Sequence, residues 1–425
     1  MFINYLKTLR QFDHNVRMYL LTAALLGFGY FGFVAVLMNL YLLRLGYGPQ
    51  FIGWVNGAPA IAFATSSIPA GVIGSRIGYR RAVIIGISLI GLSNLLLPST
   101  ELLPTDWRNI AIIATRLTSG MGFSLYMVNA NPYLVAATNP SERNHVFSMQ
   151  VALLPLAGFV GNLIAGILPE MLTSFLNVTL DHPAPYRYPL LIAGFMLIPA
   201  ALALLTTQDI APEKSETKSS DKSADTALYF IVGFLALTAT FRMMGEGAAR
   251  SFFNVYLDAG LGVSTARIGL LIAIGQVIAG PAALAAPFLV SRVGKVPAVI
   301  YATLGIAGSL VIMGTVPNWI GAGIGFTGVV GMLSIARAVI NVIHMEIVTP
   351  DWRGTTSGVT SMAMGIGFSS MTLGGGYIIT AVGYQNFFLL GALMVSISAT
   401  IFWSYFRTPR GEYARHEPQL LQAKG

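Results

Sequence analysis

The sequence predicts an all-α polytopic membrane protein, with twelve transmembrane helices in two pseudo-symmetric six-helix bundles. Composition is the first reason: 55% of the 425 residues are hydrophobic and only 10% are charged, whereas soluble domains carry about 25% charged residues. The apolar blocks are the second reason, because Val16–Leu43 and Phe387–Phe406 reach the ~20 residues that cross ~30 Å of hydrocarbon. An internal repeat is the third. A lipid bilayer is therefore the expected surroundings of the chain.

Composition and charge also exclude several classes of protein. The formal net charge is +8, but the basic residues are scattered over short loops, so no nucleic acid is expected as a partner. The chain has no Cys, which excludes disulfides and thiolate-bound metals. We find no zinc-binding, phosphate-loop or nucleophile motif and therefore expect no enzyme activity, no metal and no cofactor.

Charged breaks and breaks rich in Pro and Gly divide the chain into two sets of six spans. They predict an N-terminal six-helix bundle over residues 1–206 and a C-terminal six-helix bundle over residues 228–406. Residues 207–227 contain three lysines and five acids and are predicted to form a flexible cytoplasmic linker. Residues 407–425 are predicted to form a cytoplasmic tail. The expected spans lie near 17–43, 50–74, 82–101, 108–137, 146–170, 188–206, 228–257, 266–290, 297–316, 319–348, 355–381 and 387–406.

Lys and Arg are distributed unequally between the two sets of loops. Both termini, the linker and alternate loops carry most of them, and the other side has only Arg44, Arg108, Arg187 and Arg267. Because cytoplasmic loops carry the excess of positive residues, both termini are expected in the cytoplasm, in a bacterial inner (plasma) membrane. The basic N-terminus precedes an apolar run that is too long for a signal-peptide core, and we interpret that run as a retained first span.

The two halves contain matching residues at nearly constant offsets. The repeated segments are Asn39-Leu-Tyr41-Leu42 with Asn254-Val-Tyr256-Leu257, Ser75-Arg76-Ile-Gly78 with Ser291-Arg292-Val-Gly294, and the loops Pro140-Ser-Glu-Arg143 and Pro350-Asp-Trp-Arg353. Six spans per half give both halves the same orientation in the membrane. Parallel repeats of this kind hold their binding site near the midplane.

On these residues the sequence resembles the major facilitator superfamily over essentially its whole length. The loop Gly71-Val-Ile-Gly74-Ser75-Arg76-Ile-Gly78-Tyr-Arg80-Arg81 is similar to that family's signature, and Ser291-Arg292-Val-Gly294 is its weaker copy. Arg116-Leu-Thr-Ser-Gly120 is similar to a second family motif. The resemblance implies a twelve-span transporter that works by alternating access. The antiporter-type pattern of the fifth span is eroded, since only Pro155 and Gly158 remain.

The resemblance also implies a cytoplasmic gate, and this sequence departs from the family there. The family usually has an acid in the signature loop, which is thought to cap a helix end and pair with a neighbouring Arg. Here that position is a serine, which can cap a helix but carries no charge, and Glu142 in the next loop could supply the missing charge. The gating residues implied are Gly71, Gly74, Ser75, Arg76, Gly78, Arg80, Arg81, Glu142, Arg143, Ser291, Arg292 and Gly294.

Ionisable groups at membrane depth usually face a cavity, so each is a candidate for function. Arg242, Glu246 and Arg250 are spaced by four residues along one face of the seventh span. They form either a self-neutralising ladder of ion pairs or a site in which Glu246 carries a proton or anchors the solute. The small residues Gly245, Gly247 and Ala248 are expected to leave room for a ligand.

Other polar residues in the spans leave similar alternatives. Arg116 is expected to point into the cavity by family analogy, or else to be buried on backbone carbonyls. Arg337 and Asn341 lie one turn apart on the tenth span and face either the cavity or a helix interface. Asn131 precedes Pro132, which frees a carbonyl, so Asn131 serves either a hinge or a ligand.

His344 and Glu346 are expected within two turns of the cytoplasmic end, where a long side chain could reach out of the membrane. His344 could also change its protonation near neutral pH, but for both residues we favour a position without a role in transport. Tyr41 and Tyr256 are most simply interfacial anchors.

The predicted function is secondary active transport of a small organic solute by alternating access. Coupling to protons through Glu246 and export of amphipathic or anionic compounds are favoured. The alternative is an uncoupled facilitator or symporter for sugars, organic acids or lipids, and a sensor that does not transport is a third possibility. The expected partners are the solute, protons and the lipid bilayer, and the chain is expected to be a monomer.

Overall fold

The computed structural model describes residues 12–139, 142–208, 226–348 and 352–407. The regular secondary structure of this part of the chain is helical and contains no strand, which confirms the all-α class. The helices are α1 (His14–Arg44), α2 (Pro49–Ile77), α3 (Tyr79–Ser99), α4 (Thr105–Ala137), α5 (Arg143–Leu176), α6 (Ala184–Leu205), α7 (Thr226–Val255), α8 (Thr265–Val293), α9 (Lys295–Thr315), α10 (Trp319–Ile347) and α11 (Arg353–Phe406).

Ten helices in the described ranges are long and apolar enough to cross a membrane. The helix α7 is not among the ten. The helix α11 is 54 residues long, and Gly383, at φ 84° and ψ 169°, interrupts it. This non-helical backbone divides α11 into two helical segments, 353–382 and 384–406. A glycine stands at the break because only glycine readily adopts such a positive φ. The number of twelve spans stays a prediction.

Two π-helical segments interrupt the helices. Gly27–Val34 forms the middle of α1, and Tyr256–Gly260 follows α7. Glycine permits a close approach at the first of them: a Cβ on Gly32 would lie 2.7 Å from the Cα of Gly161 on α5. Such π segments widen the helix and are frequent at functional sites.

The chain forms two compact units. Unit 1 contains Met1–Ser215 and Asn254–Val277, and unit 2 contains Glu216–Phe253 and Ile278–Gly425. The buried core of unit 1 includes Tyr19, Tyr126 and Tyr133, and that of unit 2 includes Phe234, Val299, Ile343 and Phe402. The predicted bundles differ from these units mainly at residues 254–277, which belong to unit 1.

Several parts of the sequence prediction fall outside the described residues. These are the N-terminal residues 1–11, residues 209–225 of the predicted linker, residues 408–425 of the predicted tail, and Pro140 and Pro350 of the repeated loop. Within the described ranges, many large apolar side chains are exposed, including Ile68, Phe175 and Leu284. A surface of this kind is expected where helices face lipid.

Candidate functional site

A group of charged side chains in unit 2 centres on Glu246 of α7. Its carboxylate pairs through Oε1 with Nε of Arg250 at 2.7 Å and through Oε2 with Nη2 of Arg337 at 3.2 Å. The Glu246 side chain is 10% exposed, whereas those of Arg250 and Arg337 are 38% and 57% exposed. One buried carboxylate is thus shared by two arginines from α7 and α10, and both arginines keep donors that solvent or a solute can reach.

The third arginine of the predicted ladder behaves differently. Arg242 is 6% exposed, and no ion pair joins it to an acid among the residues that the structure describes, although the charges of Glu246 and Arg337 act on it. Helical side chains point toward the N-terminus of their helix, so Arg250 reaches back to Glu246 while Arg242 points away from it. Of the two ion pairs predicted within α7, only the one between Glu246 and Arg250 forms. The second partner of Glu246 is Arg337, which belongs to α10.

The balance of charge around Glu246 is positive, because three arginines lie within electrostatic range of one carboxylate. An excess of positive charge in a region of low dielectric attracts anions. The expectation that small residues leave room beside Glu246 is wrong for its two glycines. A Cβ on Gly245 would lie 2.1 Å from Cγ2 of Val395, and one on Gly247 would lie 2.9 Å from the carbonyl oxygen of Phe368. The glycines serve helix packing, and the open side of the cluster is that of the two exposed arginines.

The remaining predicted residues of α10 lie on either side of this cluster. Asn341, one turn after Arg337, is exposed. His344 is half-buried, and Glu346 forms an ion pair with Lys295 at the start of α9. The contact of Glu346 with a lysine at a helix end agrees with a structural role for that acid.

Arg116, in unit 1, is buried. Its side chain is 4% exposed, its Nε donates a long hydrogen bond of 3.4 Å to the carbonyl oxygen of Val55, and its guanidinium lies 6.0 Å from the ring centre of Tyr30. Its Nη1 is buried without a hydrogen-bond partner in the described ranges. Of the two alternatives that the sequence left open, the structure shows burial against a backbone carbonyl.

Another polar residue of α4 that lies in the core is Asn129, which the sequence analysis did not select. Its Nδ2 donates to the carbonyl oxygens of Ala70 at 3.1 Å and Leu125 at 2.9 Å. A Cβ on Gly74 would lie 1.6 Å from Asn129 Oδ1, so the glycine of the signature loop makes space for this amide. Asn131 is exposed. The helical spacing of Asn129 from the buried Tyr126 and Tyr133 could have distinguished the two asparagines.

The serines of the signature loop do not cap a helix. Ser75 donates to the carbonyl oxygen of Val72 at 2.9 Å, and Ser291, at the equivalent position, donates to that of Phe288 at 2.8 Å. Each hydroxyl is therefore occupied within its own helix. The glycines that follow repeat as well: Gly78 has φ 97° and Gly294 has φ 89°, which lets both loops turn into the next helix.

Two arginines of the predicted gate bind the carbonyl ends of helices. Arg80 donates to the carbonyl oxygens of Leu204 at 3.2 Å and Leu205 at 2.7 Å, where a cation complements the helix dipole. Arg143 donates to the carbonyl oxygen of Val135 at 3.1 Å.

The other predicted gating residues lie around these contacts. Glu142 makes no ion pair with any described residue, so it does not replace the missing acid. Arg76 and Arg81 are exposed, Gly71 is half-buried, and the Arg292 guanidinium lies over the Phe288 ring.

A second charged cluster lies in unit 1 at the end of α1. Arg44 binds Asp258 through two bonds, Nη1 to Oδ2 at 2.7 Å and Nη2 to Oδ1 at 2.8 Å. Its Nε donates to the carbonyl oxygen of Leu180 at 2.8 Å, and Nη2 also contacts the hydroxyl of Tyr186 at 3.4 Å. The side chains of Arg44 and Asp258 are 18% and 10% exposed. Sequence reasoning had treated Arg44 only as a loop residue and had not selected Asp258.

The repeated asparagines lie beside this pair. Asn39 Nδ2 donates to Asn254 Oδ1 at 2.8 Å, Asn254 Nδ2 donates to the carbonyl oxygen of Val36 at 3.0 Å, and Asn56 donates to Asn39 at 3.0 Å. Equivalent residues of the two repeats thus bind each other.

The interfacial role predicted for the two tyrosines is wrong, since Tyr41 and Tyr256 are both buried. The hydroxyl of Tyr41 donates to Glu101 at 3.0 Å.

The ten long apolar helices of the described residues define a multi-pass membrane protein, and α4 and α7 carry buried ionisable groups. A sequence profile described as Major Facilitator Superfamily matches residues 19–369 and 235–423. The chain belongs to this family, whose members are transporters. An uncharacterized MFS-type transporter of Methanocaldococcus jannaschii is 19% identical over 391 residues, which covers 89% of this chain and 94% of the relative.

Solved structures show the same fold. A mutant of the nucleoside transporter NupG has a TM-score of 0.71 at 16% identity and covers 92% of this chain and 100% of its own. A D-xylose-proton symporter has a TM-score of 0.71 at 17% identity, with coverage of 92% and 97%. A bacterial homologue of the human lysosomal transporter Spinster has a TM-score of 0.69 at 15% identity, with coverage of 93% and 96%. At these identities the likeness is one of fold.

Proposed function

We propose that this transporter moves a small organic anion by alternating access and is coupled to protons through Glu246. The observation that carries the proposal is the buried carboxylate shared by Arg250 and Arg337, both of which keep exposed donors. We also propose that the protein works as a monomer in the bacterial inner membrane, with both termini in the cytoplasm, as the distribution of basic residues indicates.

The two arginines favour a carboxylate or phosphate group on the solute. A guanidinium presents donors in a planar fork that matches such groups, and hydrogen bonds between charged partners are stronger than neutral ones. Glu246 uses only Nε of Arg250 and Nη2 of Arg337. Other donors of both residues remain for a solute, and Arg242 adds positive charge behind them.

The shared carboxylate also provides a route to proton coupling. A solute anion bound at the remaining donors of Arg250 and Arg337 competes with Glu246 for both cations, and a buried carboxylate whose ion pairs are weakened is costly unless a proton neutralises it. The anion and the proton then load together, so an inward proton gradient drives import. Export of amphipathic or anionic compounds, which the sequence favours, would instead require an exchange in which protons enter as the solute leaves.

The test is flux into proteoliposomes with an imposed pH gradient, using a panel of organic carboxylates and phosphates with neutral sugars for comparison. We expect an anion to accumulate with the gradient in the wild type, and the Glu246→Gln variant to lose the response to pH while still exchanging solute. Glu346→Gln is the matched control, because that acid pairs with Lys295 away from the cluster.

The outcomes separate the alternatives. Flux that ignores the gradient in wild type and in Glu246→Gln would establish an uncoupled facilitator and overturn the role of Glu246. Accumulation of a sugar in preference to every anion would overturn the solute class. Tight binding of a ligand in a thermal-shift assay, with no flux, would indicate a sensor.

A further inference from the structure

A groove runs along the surface of unit 2 between α9 and the last segment of α11. Its volume is about 430 Å³, and it is lined by Pro297, Ile300, Tyr301, Leu304, Ala399, Thr400 and Trp403. The lining residues of α9 span two helical turns from its beginning, and those of α11 lie in its final turns. The groove therefore starts at the helix ends and extends along the helices for about 10 Å, at 1.5 Å per residue.

The groove faces outward and is apolar. Tyr301, Leu304 and Trp403 are 57%, 46% and 50% exposed, so their apolar surfaces are uncovered by protein within the described residues. The hydroxyl of Thr400 donates to the carbonyl oxygen of Ser396 at 2.9 Å. One of the few polar donors that line the groove is therefore already used within its own helix. In a protein that spans a bilayer, such a groove between two helices suits a hydrocarbon chain.

A cation lies at the end of the groove. The Arg407 guanidinium lies 5.5 Å from the ring centre of Trp403, one turn beyond the last lining residue. Arg407 is exposed and forms no ion pair with any residue in the described ranges. Lys295, near the start of α9, is already paired with Glu346. Among the described residues at this end of the groove, Arg407 is thus a cation that is available to an external anion.

We propose that this groove binds an anionic phospholipid, with one acyl chain between α9 and α11 and the phosphate on Arg407. In the membrane orientation proposed above, these helix ends lie at the cytoplasmic face, where anionic lipids gather and basic pockets between helices hold their headgroups. Trp403 suits this depth, because tryptophan prefers the boundary between headgroups and hydrocarbon. The proposal is independent of the solute and of the coupling ion.

The chain offers matched controls for each half of the site. On α8, the Arg292 guanidinium lies 4.1 Å from the ring centre of Phe288, an exposed cation–ring pair whose residues do not line the groove. Leu284, also on α8, is 82% exposed and likewise lies outside the lining. Arg292→Ala and Leu284→Trp therefore test whether charge or bulk anywhere on the lipid-facing surface gives the same result.

The experiment is native mass spectrometry of the full chain released from nanodiscs that contain equal amounts of phosphatidylglycerol and phosphatidylcholine. We expect the wild type to retain one phosphatidylglycerol in preference to phosphatidylcholine. Arg407→Ala should lower that preference about fivefold, the typical contribution of one arginine near the surface, and Arg407→Lys should preserve most of it. Leu304→Trp should fill the groove and reduce retention of both lipids.

The controls decide the outcome. Arg292→Ala and Leu284→Trp should retain lipid as the wild type does. If Arg292→Ala lowers the preference as much as Arg407→Ala, the preference reflects general surface charge and the proposal is overturned. Unchanged retention in both Arg407→Ala and Leu304→Trp overturns it as well, and an unaltered unfolding temperature of each variant shows that the fold is intact.

Discussion

The two charged clusters, around Asp258 in unit 1 and around Glu246 in unit 2, differ in how many of their arginine donors are already bonded. In unit 1, Asp258 binds one arginine through two bonds, and Arg44 also donates to the carbonyl oxygen of Leu180 and contacts the hydroxyl of Tyr186. In unit 2, Glu246 is shared by Arg250 and Arg337, each of which keeps exposed donors. A closed pair of the first kind fixes two segments together. An open cluster of the second kind has positive charge to offer a ligand.

The largest effect on stability is expected from breaking the ion pair between Arg44 and Asp258. Arg44→Ala leaves Asp258 buried without a partner, and removing one member of a buried pair costs about 3–5 kcal/mol. We expect a lower unfolding temperature in detergent, whereas Arg44→Met combined with Asp258→Leu should recover most of the loss. If the double variant is no more stable than Arg44→Ala, the cost does not arise from the unpaired carboxylate.

The neighbouring asparagines extend the closed cluster, and their removal should have an intermediate effect. Asn254→Ala removes the acceptor of one buried hydrogen bond of Asn39, and the loss of one partner of a buried hydrogen bond costs about 1–3 kcal/mol. Asn254→Asp keeps an acceptor for Asn39 but adds a buried charge, so it should not restore stability. The unfolding temperatures of the two variants against wild type check this prediction, and an alanine variant as stable as wild type would contradict it.

Sequence reasoning found the open cluster and missed the closed one, for a physical reason. Arg242, Glu246 and Arg250 lie in one helix, where a spacing of four residues predicts a shared face. Arg44 and Asp258 are 214 positions apart, and each lies at a helix end, where a charged residue is ordinary. The fold class followed from composition, apolar length and the internal repeat, since each of these signals can be read from the sequence without knowledge of contacts between helices.

Contacts between helices limited the prediction of the site as well. The role of Arg337 at Glu246 depends on the approach of α10 to α7, and the choice of Asn129 over Asn131 depends on which face of α4 meets Gly74. Neither of these contacts between helices can be predicted from one stretch of sequence. The repeat of Asn39 and Asn254 was visible as a pattern, but their mutual hydrogen bond requires the folded chain.

The open cluster should respond more in binding than in stability. Arg337→Ala leaves the buried Glu246 carboxylate paired with Arg250. Because the Arg337 side chain is itself 57% exposed, the loss of stability should stay at about 1 kcal/mol. A solute anion, however, loses a charged hydrogen bond of about 1.5–3 kcal/mol, so its affinity should fall by roughly 10- to 100-fold. Ligand titrations followed by thermal shift measure both quantities. A large loss of stability with unchanged affinity would place Arg337 in the closed class.

The smallest effect is expected at the pair formed by Glu346 and Lys295, whose side chains are 41% and 34% exposed. Solvent screens such a pair, and its worth is about 0–1 kcal/mol, so Glu346→Gln should shift the unfolding temperature by a few degrees at most. The effect should shrink further in high salt, because salt screens exposed charges far more than buried ones. Arg44→Ala should keep its full effect under the same conditions. If salt instead abolishes the cost of Arg44→Ala, Asp258 is solvated in solution and the distinction between a closed and an open cluster fails.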